Sequence, residues 1–77
     1  MENIKPKKRR KKTELNARDF IIIECIAAGY TDKETAIVLN LSLPRTSFLI
    51  SEILRTTGAV NRPQLVTWAF KKGILKV

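Results

Sequence analysis

Between residues 45 and 55 the chain carries Arg45, Ser47, Phe48, Ser51, Glu52 and Arg55. A helical winding of about 100° per residue brings all six to one side. Thr46, Ile50, Ile53 and Thr57 fall on the other side, as a core-facing stripe would. The guanidinium forks of Arg45 and Arg55 suit guanine edges or phosphate oxygens, and the hydroxyls of Ser47 and Ser51 can donate to or accept from bases. Phe48 stands in the middle of this polar side. Its ring can lie against a thymine methyl in a major groove, or against an apolar surface of a partner protein; the residues alone leave both open.

Charge distribution favours an anionic partner. The 77 residues hold 15 Lys+Arg against 7 Asp+Glu, a formal net charge of +8. Residues 1–14 contain Lys5, Lys7, Lys8, Arg9, Arg10, Lys11 and Lys12 against Glu2 and Glu14, a net +5. The run "KPKKRRKK" is expected to be a disordered basic arm, because its like charges repel. Such an arm can settle on phosphates and release counterions, with Lys7, Lys8, Arg9, Arg10, Lys11 and Lys12 as the candidate contacts. A solvated extension that aids solubility is the plainer alternative. A membrane-surface role would need apolar partners that the run lacks.

Other chemistries find little support. The absence of histidine removes the commonest general base and metal ligand, so no metal site and no cofactor are expected. No Gly-rich phosphate loop appears, and no nucleophile is matched to a base, so an enzyme is not expected. The single cysteine, Cys25, cannot form an internal disulfide, which suits a reducing intracellular setting. On the first helix it reads as a small buried hydrophobe. No apolar run approaches the roughly 20 residues of a membrane span, and the charged N-terminus has no apolar segment behind it. Nothing indicates a small-molecule ligand.

Helix punctuation organises the rest as one small domain, residues 15–77. Asn16 with Asp19 forms a capping-box pattern and Gly29 a stop, giving a helix over about 17–28 with Ile22, Ile23 and Ile26 inward, helped by Tyr30. Thr31 with Glu34 opens a short second helix to about Leu39, expected to bury Ala36, Val38 or Ile37, and Leu39. Ala36 is small enough to let another helix cross closely. After the turn "NLS", Ser42 caps a third helix with Pro44 in its first turn, ending near Thr57 before Gly58. Asn61 with Gln64 opens a fourth over "RPQLVTWAFKK", closed by Gly73. No strand alternation, repeat or linker interrupts this all-α pattern. A short helix, a turn and a longer helix have the proportions of a helix-turn-helix.

The stretches "LNARDFIIIECIAAGYTDKETAIVLNLS" and "ILRTTGAVNRPQLVTWAFKKGIL" resemble the LuxR/GerE-type DNA-binding domain over about residues 15–75, without a gap. The family's opening leucine, arginine and acid match Leu15, Arg18 and Asp19. Its Gly-x-Ser-x-Lys-Glu-x-Ala stretch matches Gly29, Thr31, Lys33, Glu34 and Ala36, and its later residues match Gly58, Arg62, Gln64, Leu65 and Val66. The resemblance implies a four-helix LuxR/GerE-type helix-turn-helix domain that binds double-stranded DNA, commonly as a dimer through its last helix. In size the chain resembles small free-standing, GerE-like members. The reading helix departs from the family's Thr-Val-Lys, with His two places beyond the Lys: Arg45, Thr46, Ser47 and Leu49 stand there instead.

On this reading Arg45, Ser47, Phe48, Ser51 and Arg55 read bases. Thr31, Lys33, Asn61 and Arg62 hold phosphates at two helix N-termini. Leu65, Val66, Trp68, Ala69 and Phe70 span an arc too wide for one core face, so Leu65, Trp68, Ala69 and Lys72 are expected at a homodimer seam. Ile21, Phe48, Leu49 and Trp68 lie near outward positions, and as one patch they would suit a protein regulator as partner. An anti-activator that sequesters a related regulator is therefore the alternative to a DNA-binding transcriptional regulator; non-specific nucleoid or RNA binding through the arm is a third reading. A cytoplasmic, nucleoid-associated location goes with the DNA reading.

Overall fold

A computed structural model of the chain describes residues 15–76. The basic arm, with Lys7, Lys8, Arg9, Arg10, Lys11 and Lys12, lies outside the described residues. Four helices follow one another: α1 (Ala17–Ala27), α2 (Asp32–Leu39), α3 (Leu43–Thr57) and α4 (Arg62–Lys71). Among the described residues there is no strand.

Each helix begins where a short polar side chain can satisfy an orphan amide. Asn16, Thr31, Ser42 and Asn61 accept from the backbone N–H three residues on, at 2.9, 3.1, 3.2 and 2.9 Å. At α1 and α2 the bond is reciprocated, Asp19 and Glu34 accepting from the cap's own N–H. Pro44 and Pro63 stand in first turns, where no intrahelical donor is lost. Each helix is followed by a left-handed residue, Gly29, Asn40, Gly58 and Gly73, with Asn40 at φ 58° the one that is not glycine.

The turn after α2 sets α3 at 103° to it, within the range of helix-turn-helix pairs. α1 lies against α4, and α2 against α3. Ile22 and Ile23 of α1, Leu49, Ile50 and Ile53 of α3, and Leu65 and Ala69 of α4 form the buried core. Burying each large aliphatic side chain contributes about 1.5–3 kcal/mol. Ile26, Leu39 and Trp68 pack against this core from partly buried positions, and Cys25 is buried in α1. No single helix among the described residues is long and apolar enough to cross a membrane.

Several inward expectations change. Tyr30, Ile37 and Val38 are exposed, the last two at 72% and 52%, while Thr35 and Ala36 take the interior of α2. Thr35 can be buried because its hydroxyl donates to the Thr31 carbonyl at 2.9 Å, leaving only its methyl to pack. Thr46 is buried the same way, donating to the Ser42 carbonyl at 2.9 Å. Leu49, expected near the outside, joins the core beside Ile50. Leu65 and Ala69, expected at a dimer seam, have no exposed surface because they fill the gap between α1 and α3. Of that seam only half-buried Trp68 and exposed Lys72 reach the surface.

Candidate nucleic-acid interface

Because Thr46, Leu49, Ile50 and Ile53 anchor α3 inward, the intervening positions are turned out. Arg45, Ser51 and Arg55 are exposed, and Phe48 stands out with 54% of its surface accessible. Arg45 occupies the first turn of α3 and Arg55 its last; at about 1.5 Å per residue the row spans roughly 15 Å. Arg55 lies 3.1 Å from Glu52, one turn back, with its side chain 77% exposed. An ion pair so solvated is weak, so the guanidinium can leave it for another anion.

Ser47 is placed differently. Its Oγ is half-buried and donates to Asp32 Oδ2 of α2 at 3.1 Å. The other carboxylate oxygen of Asp32 accepts from Arg62 Nη2 of α4 at 2.7 Å. One acid therefore joins the N-terminus of α2, the first half of α3 and the N-terminus of α4. The two helix starts expected to hold phosphates, Thr31 with Lys33 and Asn61 with Arg62, thus meet at Asp32 beside Ser47 of α3.

The cap hydroxyl of Thr31 is occupied by Glu34 N–H at 3.1 Å and the Asn61 oxygen by Gln64 N–H at 2.9 Å. What these two residues still offer is the hydroxyl proton of Thr31 and the amide NH2 of Asn61, both donors. Lys33 is exposed beside them. Donors and bases at helix N-termini attract anions, so the junction of α2 and α4 beside Ser47 can receive phosphate.

Asp32 and Glu52 were not among the residues expected to matter. A signal for Asp32 existed, since it lies between Thr31 and Lys33 and begins α2. Its partners are 15 and 30 residues away, and no local pattern announces them. Glu52 shares the outward side of α3 with Arg55 three residues on, the spacing at which helical side chains meet.

Two further surfaces adjoin the core. On the α1–α2 side, Ile21, Cys25, Ala28, Tyr30 and Val38 with Glu24 line an open, mostly apolar groove of about 300 Å³. On α4, Gln64, Thr67, Trp68 and Lys71 line a second, of about 310 Å³.

The chain is 34% identical over 71 residues to the transcriptional regulatory protein YdfI of Bacillus subtilis, covering 92% of this chain and 33% of YdfI. It is 31% identical over 61 residues to the probable transcriptional regulator ycf29 of Porphyra purpurea, covering 79% of this chain and 29% of that protein. The chain thus spans about one third of the length of the curated relatives it matches. No protein-family model and no solved structure matches it. The likeness covers α1 to α4 in large part, and both relatives carry the name of a transcriptional regulator.

Proposed function

We propose that this chain is a DNA-binding transcriptional regulator that lays α3 in the major groove of duplex DNA and acts as a homodimer. The observation that carries the reading is the outward row of α3, in which Arg45, Phe48, Ser51 and Arg55 face solvent while the helix is anchored from behind. The names of the two relatives support a role in transcription.

In this reading Arg45 reaches a guanine edge, since recognition helices meet bases mainly through their N-terminal residues. Phe48 covers a thymine methyl, and Ser47 and Ser51 supply hydroxyls; Ser47 keeps acceptor lone pairs while it donates to Asp32. Arg55 takes a base edge or phosphate further along. Thr31, Lys33, Asn61 and Arg62 fix the register on phosphates, which carry no sequence information themselves. The basic arm adds affinity for any duplex. A two-fold dimer across the exposed side of α4, through Trp68 and Lys72, sets two copies of α3 about 34 Å apart on a palindromic site. No cofactor or metal takes part.

Binding-site selection on random duplex, with the full chain and with residues 1–12 removed, tests the reading. Replacing Arg45 by Ala is expected to cost about 1–3 kcal/mol on the selected site and less on random duplex. Removing the arm is expected to weaken both equally and flatten the salt dependence. Equal loss on all DNA from Arg45→Ala would sink base reading.

One observation favours a second reading. The apolar groove bearing Ile21, Tyr30 and Val38 suits a protein partner, and with it the anti-activator role. That reading stands if no duplex binds at about 50 mM salt, where phosphate contacts are strong, while a second regulator forms a stable complex.

A further inference from the structure

Asp32 is an acid placed between Ser47 and Arg62, two residues assigned to DNA contact. Its carboxylate engages one residue assigned to bases, Ser47, and one assigned to phosphate, Arg62. A purely structural account of this junction is thin. The Arg62 and Asp32 side chains are 45% and 32% exposed, and ion pairs this open to solvent contribute little to stability. Their larger consequence falls on whatever anion approaches Arg62, because in the free protein its charge is already answered.

We propose that Asp32 is a built-in competitor for DNA phosphate: on binding, Arg62 exchanges the Asp32 carboxylate for a phosphate oxygen. The inference rests on the DNA-binding reading above and adds a residue that lowers affinity. The exchange conserves charge pairing, moving one guanidinium contact from carboxylate to phosphate and leaving Asp32 solvated with Ser47 still donating to it. Because phosphate is common to every sequence, the damping applies equally to preferred and random duplex. Asp32 thereby offsets part of the attraction from a chain of net charge +8, and leaves discrimination to Arg45 and the outward row of α3.

Asp32→Asn tests this with little change of shape, since its amide oxygen can still accept from Ser47. Fluorescence anisotropy with a preferred and a random duplex across a salt series is the measurement. Asp32→Asn is expected to bind both about threefold more tightly, within the range a solvated ion pair allows. Its log–log salt slope should stay nearly that of the wild type, since Arg62 neutralises the same phosphate in both complexes. In an Arg62→Ala background the gain should fall below about 1.5-fold, the coupling that a double-mutant cycle isolates.

Unchanged or weaker binding by Asp32→Asn, or the same gain without Arg62, overturns the inference alone, provided the wild type binds. Failure of both proteins to bind overturns the DNA reading with it. Binding by Asp32→Asn where the wild type fails supports the competitor role. Should Asp32→Asn not fold, the wild-type Asp32 carboxyl carbon followed by NMR during duplex titration decides: a shift that saturates with binding supports exchange, and an unmoved signal refutes it.

Discussion

Phe48 and Ile50 stand two residues apart on α3, yet the first is 54% exposed and the second 1%. On α2 the neighbouring pair Ile37 and Val38 both face out, and the interior is filled by Thr35 and Ala36. The contrast comes from length and neighbours. α3 has 15 residues and lies against α1, α2 and α4, so its buried positions from Thr46 to Ile53, over about two turns, fix which side is in. α2 has 8 residues and lies mainly against α3, and its rotation is set by the close crossing that Ala36 permits. A long helix in the middle of a small core shows its orientation in its apolar spacing. A short helix at the edge takes its orientation from the helix it crosses.

The largest expected effect breaks the anchored side of α3. Replacing Ile50 by Ala removes a side chain with almost no exposed surface from the centre of the core. Loss of about 2–5 kcal/mol is expected, against a total of about 5–15 kcal/mol for native domains. Urea denaturation followed by circular dichroism measures it. Phe48→Ala, two residues away on the opposite side of the helix, should leave the midpoint nearly unchanged. Equal losses at the two positions would mean that α3 is packed on both sides, and the candidate interface would be lost with that result.

An intermediate effect tests the hinge between the two helices. The Ser42 hydroxyl caps α3 at the Arg45 amide, and its carbonyl accepts the Thr46 hydroxyl. Ser42→Ala keeps the carbonyl and removes the cap, at an expected cost of about 1 kcal/mol. The same denaturation experiment reads it. A loss as large as that of Ile50→Ala would show that the cap also sets the 103° crossing, which would give the turn a larger share of the positioning than the core has.

The fold was largely readable because its punctuation is local. Asn16, Thr31, Ser42 and Asn61 each announce a helix three residues ahead of the amide they cap, and Gly58 and Gly73 follow closely on helix ends. The exposure of Arg45, Phe48, Ser51 and Arg55 was readable from the inward spacing of Thr46, Ile50 and Ile53, whereas Leu49, expected outward, is buried and Ser47 is half-buried. Leu65 and Ala69 were misplaced because the apolar residues of α4 run round the helix, and only the position of α1 decides which of them it covers. Thr35 was missed because a threonine becomes buriable through a bond to its own backbone, which polarity scales do not register. The Ser47–Asp32–Arg62 junction was hidden for a third reason: it exists only once three helices have met.

The smallest expected effect sharpens the comparison at the α2 end. Ile37 is the apolar residue of α2 with the most exposed surface, at 72%, so Ile37→Ser should change stability by no more than about 0.5 kcal/mol, the range of ordinary surface substitutions. Thr35→Ser, at the buried position two residues earlier, keeps the hydroxyl bond to Thr31 and removes one methyl. A cost of about 1 kcal/mol is expected there, the order of a buried methylene. Denaturation midpoints of the two variants, compared with wild type, rank the positions. If Ile37→Ser costs more than Thr35→Ser, Ile37 is covered in solution, and the apolar side formed by Ile37 and Val38 is then an interface with another molecule. A near-silent Ile37 beside a costly Thr35 establishes that α2 takes its rotation from the crossing with α3, and that its two large aliphatic residues contribute little to holding α3 in place.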